Sequence, residues 1–332
     1  MNISFVVPCY NEEDALPHTS EQLVKLLDDL IARGKAGPAS NMWFVDDGSR
    51  DRTWEIIESL AAKSPRIVGV KLARNIGHQN ALLAGLLSAD GDAIISLDAD
   101  LQDDLGAVER MIDAHAKGYE IVYGVRALRT TDTPLKRWTA LGYYRISRML
   151  GVDLVPNHAD YRLMGRRAIK ALGNYGEVNL FLRGIIPQLG FKSCSVYYDR
   201  NARVAGESKY PVRKMVALAL TGVTSFSAAP VRLIAAMGGI LFLISAAMSL
   251  WVLVVRLVTN TAVPGWASVT LPIYALGGIQ MLCMGVIGEY VAKIYLETKR
   301  RPRFLIEHIE RQSVRSPDTQ AASPQPQPAL LP

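Results

Sequence analysis

The sequence predicts an α/β domain, in which helices cover a parallel sheet, followed by a two-helix transmembrane hairpin. In the first half of the chain, short runs rich in β-branched residues alternate with helical stretches, which is the pattern of a parallel sheet with crossover helices. In the second half, two long apolar runs, 233–255 and 266–287, contain no charged residue. These two observations divide the chain into an N-terminal α/β domain and an apolar C-terminal part.

The first domain is expected to contain five strands and four helices in alternation. The candidate strands are 3–7, 43–45, 67–72, 93–97 and 120–123, and the helices between them begin near Glu13, Thr53, His78 and Leu105. In such sheets, ligands bind in the crevice beyond the carboxyl ends of the strands. The polar loops that follow the first four strands should therefore converge on one face.

The loop after the fourth strand carries the most informative motif, Asp98-Ala99-Asp100. Side chains alternate along an extended chain, so both carboxylates can point the same way, and their repulsion is relieved by a cation. Hard divalent ions take carboxylate oxygen and are usually completed by substrate phosphates. No glycine-rich phosphate loop of either common type is present, so the pair is expected to hold a metal-bound diphosphate. A solvated turn or a helix cap is the alternative for such a pair.

Each uncharged run is long enough to span a hydrocarbon core of about 30 Å at about 1.5 Å rise per residue. Buried helices of a soluble protein are the alternative. Basic residues precede 233 and follow 287, and only Arg256 lies in the connection. The positive-inside rule therefore places both termini and the α/β domain in the cytoplasm. The net charge of +6 is concentrated beside the apolar runs, which favours anionic lipid and a membrane rather than nucleic acid as partner.

The remaining segments set the domain boundaries. Two basic amphipathic stretches, 135–150 and 212–226, are typical of interfacial helices, although an ordinary surface helix explains the first equally well. The tail is rich in Ser, Pro and Gln and is predicted to be disordered. The predicted units are a catalytic domain at 1–210, a juxtamembrane amphipathic helix at 211–230, transmembrane helices at about 233–255 and 266–290 within 231–295, and a cytoplasmic basic segment with the tail at 296–332.

Three motifs in this order, 7–13 (VPCYNEE), 46–49 (DDGS) and 98–100 (DAD), resemble those of the GT-A glycosyltransferases of family 2. Later motifs are similar to those of the polyprenyl-phosphate glycosyltransferases, which include dolichyl-phosphate mannose synthases and bacterial bactoprenol glucosyltransferases. They are 123–126 (YGVR), 160–164 (DYRLM), 203–210 (RVAGESKY), 288–290 (GEY) and 301–303 (RPR). The match runs from about Asn2 to Leu305 and implies a GT-A, Rossmann-like fold for the α/β domain.

The resemblance implies a nucleotide-sugar donor site with a divalent metal. Asp46 or Asp47 would accept a hydrogen bond from the base; a plain turn before a helix, capped by Asp51, is the alternative. Asn75 and Gly77 would approach the donor or form a simple strand-to-helix loop. The residues that would line the nucleotide are Pro8, Tyr10, Asn11 and Glu12, with Asp98, and those that would hold Mg²⁺ or Mn²⁺ at the diphosphate are Asp98, Asp100 and Gln102.

The implied acceptor is itself a phosphate, undecaprenyl phosphate. A phosphate monoester has a second pKa of about 6 and is largely ionised near neutrality, so cations are needed more than a strong base. Asp160 resembles the position proposed as base in related inverting enzymes, but an Asp160–Arg162 ion pair is the alternative. The candidate cations are Arg126, Arg203, Lys136 and Arg137, of which the last two are equally well explained as solvated surface charges.

The expected activity is inverting transfer of a hexose, glucose from UDP-glucose, to undecaprenyl phosphate by a multi-pass protein of the bacterial inner membrane. GDP-mannose, UDP-N-acetylglucosamine and a formylated aminoarabinose nucleotide are alternative donors. A processive polysaccharide synthase is disfavoured because Arg137-Trp138 lacks the Gln of its Gln-x-x-Arg-Trp signature. A non-catalytic membrane adaptor is the alternative from another class. Glycine pairs in both apolar runs permit close helix contacts, which leaves a homo-oligomer open.

Overall fold

A computed structural model describes residues 1–126, 158–177, 180–199 and 266–312, together with isolated positions between 231 and 247. The strands are β1 (Ile3–Cys9), β2 (Asn41–Asp46), β3 (Ile67–Leu72), β4 (Ala93–Ser96), β5 (Ile121–Arg126), β6 (His158–Gly165), β7 (Ser193–Tyr198) and β8 (Ile306–Arg311). The helices are α1 (Leu16–Ala32), α2 (Thr53–Lys63), α3 (His78–Ser88), α4 (Ala107–Ala116), α5 (Arg166–Gly173), α6 (Leu182–Gln188) and α7 (Trp266–Thr298).

All eight strands form one sheet in the order β7-β5-β6-β4-β1-β2-β3-β8. Strands β4, β1, β2 and β3 are parallel neighbours, as are β5 and β7, so the predicted α/β fold is confirmed. The sheet is mixed rather than wholly parallel, because β6 lies antiparallel between β4 and β5, and β8 lies antiparallel to β3. The carboxyl ends of β1 to β4 still share one edge, where the polar loops emerge.

The sheet is buried on both faces, which is why its central strands are apolar at nearly every position. On one face, Phe5 and Val7 of β1 join a core with residues of α1 and α4. On the other face, Val6 joins a core with residues of α3, α5 and α6. A Cβ on Gly85 of α3 would lie 2.4 Å from Val6 Cγ1, so this glycine allows α3 to lie directly on the sheet. This packing on both faces makes the sheet a rigid support for the polar loops at its carboxyl edge.

The prediction of a multi-pass inner-membrane protein with a transmembrane hairpin is wrong for the part of the chain that the structure describes. No helix there is long and apolar enough to cross a membrane. The second apolar run does form α7, but this helix continues to Thr298 and carries Glu289, Lys293 and Glu297 in its last turns. Most of the first apolar run, both predicted interfacial helices and 313–332 lie outside the described residues.

Strand β8 was not expected from the sequence. It pairs with β3, with Ile306 opposite Leu72 and Arg311 opposite Val68. Just before it, the Ala73 amide donates to the Leu305 carbonyl over 3.0 Å. The segment between α7 and β8 therefore reaches the carboxyl end of β3, at the edge where the polar loops lie.

Candidate active site

The acidic loop after β4 is held by one hydrogen bond from α1 and by one hydrogen bond within the loop. Thr19 of α1 donates its hydroxyl to the Ala99 carbonyl over 2.6 Å, and the Gln102 amide donates to Asp100 Oδ1 over 3.3 Å. Leu101 has a φ of 46°, in the left-handed region that a leucine rarely adopts. These two hydrogen bonds and the φ of Leu101 fix the loop conformation. Asp98 and Asp100 remain partly exposed in it.

Asp98 lies in an electrostatic environment that disfavours its charge. Loss of contact with water raises the pKa of Asp98 to about 6; His78 opposes the change, and the negative charges of Asp160, Asp103 and Asp100 add to it. Its side chain nevertheless keeps 39% of its accessible surface. A carboxylate that is crowded by acids but still accessible is suited to meet a cation.

Asp160, on β6, is surrounded by three basic side chains, of which Arg162 is buried and Arg183 and His78 are partly exposed. Its carboxylate accepts a hydrogen bond from Arg162 Nη2, lies 3.2 Å from Arg183 Nη2 and lies 3.4 Å from His78 Nε2. Burial alone would raise the pKa of Asp160, but His78, Arg183 and Arg162 together hold it well below its usual value. The predicted alternative, an Asp160–Arg162 ion pair, is therefore present in the structure.

His78 links this cluster to the acidic loop and was not identified from the sequence. Its Nε2 lies 3.7 Å from Asp98 Oδ1 as well as 3.4 Å from Asp160 Oδ2. Burial disfavours the protonated ring, but the hydrogen bond to Asp160 and the charge of Asp98 outweigh it, so the pKa of His78 is raised. Arg183, the first basic residue of α6, was also missed, because only the fold brings α6 to β6.

The loop that begins α3 is held by Asp47. Its two carboxylate oxygens accept hydrogen bonds from the amides of Ile76 and Gly77 over 2.8 and 2.9 Å. Gly77 has a φ of 87°, which glycine adopts without strain, and it immediately precedes His78. Asp47 therefore has a structural role that positions His78, and Asn75 is exposed in the same loop.

Asp46 and Asp51 order the loop after β2, as the turn alternative predicted. Asp46 Oδ1 accepts from the Ser49 amide over 3.1 Å, and burial raises the pKa of Asp46 although the hydrogen bonds from Ser49 oppose the change. Asp51 Oδ1 accepts from the Thr53 amide over 3.1 Å at the start of α2. Gly48 has a φ of 65°, and a Cβ there would lie 2.6 Å from the Asn75 nitrogen. The loops after β2 and β3 are thus in close contact.

The loop after β1 is joined to the same region. Asn11, with a φ of 54°, donates its amide to Ser49 Oγ and accepts from the Arg50 amide, and the Glu12 amide donates to Thr53 Oγ1. Pro8 lies in β1, whereas the Tyr10 side chain is 41% exposed at the carboxyl edge. The predicted nucleotide-lining residues from Pro8 to Glu12 therefore lie beside the loop that carries Asp46 and Asp47.

Arg126, at the end of β5, is held by two partners that were not predicted. Its Nη2 lies 3.4 Å from Asp103 Oδ1, and its Nε donates to Tyr198 Oη over 3.4 Å. Tyr198 Oη also donates to Asp103 Oδ1. The other predicted cations, Lys136, Arg137 and Arg203, lie outside the described residues.

The acidic loop fits a divalent metal that the substrate completes. Asp98 and Asp100 offer only oxygen ligands, which Mg²⁺ and Mn²⁺ prefer. Within the described ranges no group of three His, Cys, Asp or Glu residues could hold a metal ion alone. Gln102 is 3% exposed, and its Nε2 has no hydrogen-bond partner there. A two-carboxylate site is usually completed by phosphate oxygens and water.

Comparison with known proteins decides the family. Residues 4–173, more than half of the chain, match the family model described as glycosyl transferase family 2. The chain belongs to glycosyl transferase family 2. The predicted resemblance and the GT-A type of mixed α/β sheet are thereby confirmed, and the protein is a glycosyltransferase.

Two relatives and one solved structure show how this family 2 member compares. It is 48% identical over 307 residues to the uncharacterized glycosyltransferase YkoT of Bacillus subtilis, which covers 92% of this chain and 91% of that protein. It is 38% identical over 307 residues to the bactoprenol glucosyl transferase of Shigella phage SfX, with 92% and 99% covered. The glucosyl-3-phosphoglycerate synthase of Mycobacterium tuberculosis, crystallised with Mn²⁺, uridine diphosphate and phosphoglyceric acid, gives a TM-score of 0.44 at 19% identity, with 67% and 76% covered.

Proposed function

We propose that this protein transfers glucose from UDP-glucose to undecaprenyl phosphate with inversion at the anomeric carbon. Family membership and the likeness to a bactoprenol glucosyl transferase support the reaction class and a polyprenyl phosphate acceptor. The observation that carries the proposal is the contact of His78 with both Asp98 and Asp160. It joins an acidic loop suited to a cation with a cluster of cations suited to anions.

The donor would bind across the loops that follow β1, β2, β3 and β4. The exposed Tyr10 ring can stack on the base, and Asp46 is the better candidate for a hydrogen bond to it because both oxygens of Asp47 already accept amides. The residues that would contact the rest of the nucleotide sugar are Pro8, Asn11, Glu12, Asn75 and Gly77.

Asp98 and Asp100, with Gln102, would hold Mg²⁺ or Mn²⁺ at the donor diphosphate. When bound, such an ion offsets the negative charge that develops on the leaving diphosphate. The protein contributes by keeping the Asp98 carboxylate accessible and by crowding it with acids, which favours exchange of a proton for a metal ion.

The acceptor phosphate would need cations rather than a base. An oxygen of the ionised phosphate attacks the anomeric carbon, a new carbon–oxygen bond forms, and the bond to the diphosphate breaks with its electron pair leaving on the diphosphate. Asp160 is a positioning residue in this scheme, because its lowered pKa makes it a weak base and its oxygens already hold Arg183 and His78. Fixed cations in a partly dehydrated site stabilise such charge effectively. Arg126 and Arg203 would act on the same anions.

A donor screen tests the proposal. The purified full chain is incubated with undecaprenyl phosphate, a divalent metal and, in separate reactions, UDP-glucose, GDP-mannose, UDP-N-acetylglucosamine or UDP-formylaminoarabinose, and the lipid product is detected by mass spectrometry. We expect a hexose adduct from UDP-glucose, and NMR of the product should show inverted anomeric configuration. Turnover of another donor alone would refute the choice of sugar. Lipid binding without turnover of any donor would identify a non-catalytic adaptor.

A further inference from the structure

An arginine-lined cavity lies at the carboxyl-terminal end of α7, outside the site described above. Its volume is about 520 Å³, and its lining consists of Arg300, Arg301, Arg303, Glu297, Pro302, Phe304 and Gly176. Three guanidiniums and one carboxylate give this arginine cavity an excess of positive charge. Arginine is suited to bind phosphate because its planar fork can donate two parallel hydrogen bonds.

Only one of the three arginines is used to hold the fold. Arg303 Nη1 donates to the Tyr175 carbonyl over 2.7 Å, which ties the segment after α7 to the loop after α5. Arg300 and Arg301 are exposed, and neither is paired with a carboxylate within the described part of the chain. Arg300 also has a φ of 47°, in the turn where its amide donates to the Glu297 carbonyl. Two guanidiniums are thus presented on a fixed backbone.

The arginine cavity adjoins the catalytic edge of the sheet. On one side, Leu305 bonds to Ala73 at the carboxyl end of β3, the strand whose following loop leads to His78. On the other side, Gly176 begins the segment that leads into α6, where the Leu182 amide donates to Gln79 Oε1 of α3 and Arg183 contacts Asp160. Residues that line the cavity are therefore close in the chain to elements that form the candidate active site.

The helix that ends at the arginine cavity carries exposed apolar side chains. Met284, Val291 and Ile294 of α7 are between 58% and 68% exposed. Their spacing places these residues on one face of the helix, and an exposed apolar face is suited to an apolar partner. A molecule with an anionic head and a long hydrocarbon chain would satisfy both the arginines and the helix surface, whereas a free nucleotide or sugar phosphate would use only the arginines.

We propose that the arginine cavity binds the phosphate of a polyprenyl phosphate, whose hydrocarbon chain lies along the exposed apolar residues of α7. This inference rests on the proposed function, since it assigns the docking position from which the acceptor enters the adjacent catalytic site. Arg300 and Arg301 are complementary in charge to a phosphate, and the exposed apolar residues of α7 are suited to a hydrocarbon chain. Together they favour a lipid phosphate over a free phosphate.

The test removes the two unpaired guanidiniums from the full chain. The variant is Arg300→Asn with Arg301→Ala, because asparagine tolerates the positive φ at position 300. We expect the KM for undecaprenyl phosphate to rise about tenfold or more, since hydrogen bonds to charged groups each contribute a factor of this order. The kcat and the KM for the donor should stay unchanged. Lys25→Ala with Lys117→Ala removes the same charge from exposed positions and should leave every constant unchanged.

Direct binding separates this inference from the proposed function. Undecaprenyl phosphate binding is measured in detergent without donor, by native mass spectrometry, for the wild type, the Arg300/Arg301 variant and a variant with lysine at both positions. Weaker binding in the first variant and partial retention in the lysine variant support the inference even if no donor is turned over. Unchanged binding and unchanged KM overturn it even if transfer is established. Equal competition by inorganic phosphate and by farnesyl phosphate also overturns it, because the hydrocarbon chain would then contribute nothing.

Discussion

Removing the charge of Asp160 should destabilise the protein strongly, whereas removing that of Asp98 should not. Arg162 is fully buried, its Nε and Nη1 have no hydrogen-bond partner in the described residues, and its Nη2 donates to Asp160. Asp160→Asn leaves this guanidinium without its counter-ion. Breaking a buried pair by removing one partner typically costs about 3–5 kcal/mol, so we expect a loss of about that size in the free energy of unfolding.

Asp98→Asn should instead increase the free energy of unfolding. The pKa of Asp98 is raised to about 6, so the folded protein holds its charge at a cost relative to the unfolded chain. A difference from the usual value of about 3.9 corresponds to roughly 3 kcal/mol, and solvent screening of a side chain that is 39% exposed reduces this to about 1 kcal/mol. The neutral variant should therefore be more stable than the wild type by about 1 kcal/mol at pH 8, although it loses transfer activity.

Urea unfolding without metal, followed by circular dichroism at pH 8 and pH 5, measures both effects. A raised folded pKa makes the advantage of Asp98→Asn shrink as the pH falls through about 6 toward 4. Because the folded pKa of Asp160 is lowered, its contribution is present above about pH 4 and lost only below, so the deficit of Asp160→Asn should persist at pH 5. Asp14→Asn, at an exposed position, should stay within about 0.5 kcal/mol of the wild type. Equal destabilisation by the two site variants would refute the reasoning.

Three further outcomes are expected. His78→Gln keeps a hydrogen bond to Asp160 but removes the cation, so kcat should fall about tenfold or more with the circular dichroism spectrum unchanged. Gly48→Ala should lower the free energy of unfolding, measured with urea, by about 2 kcal/mol or more, because of the φ of 65° and the close Asn75 backbone. Gly34→Ala, with a φ of 68° and no neighbour within 4 Å, should lower it by only about 1 kcal/mol. EDTA should abolish transfer, and added Mn²⁺ should restore it. Mn²⁺ should also raise the Tm of the wild type but not that of Asp98→Asn. Transfer that persists in EDTA would exclude a metal role.

Much of the sheet could be predicted from the sequence because its central strands are buried on both faces and read as apolar runs. Strands β1 to β5 were predicted near their observed positions, and α2 and α3 begin at the predicted Thr53 and His78. Strand β6 was not predicted, because it carries Asp160 and Arg162 into the interior. Strand β8 is mostly exposed and is defined only by its pairing with β3, which no local pattern reveals.

In the candidate site, too, residues with a local sequence signal were predicted and residues that depend on tertiary contacts were missed. Asp98 and Asp100 were predicted because their spacing after an apolar run is itself a signal. His78 and Arg183 were missed because their role depends on Asp160, which lies on a different element from either. The structural role of Asp47 was likewise hidden, since its carboxylate bonds to backbone amides that carry no sequence signature.

The pairing of β8 with β3 also has a consequence for the order of events during synthesis. Lys71 and Glu307, whose side chains form an ion pair across these two strands, are 236 positions apart in the chain. The outer edge of β3 therefore stays unpaired on a growing chain until the residues of β8 have left the ribosome, and an unpaired edge is prone to aggregate. A chain halted before Ile306 would thus have every predicted donor residue and still present an unpaired edge of β3.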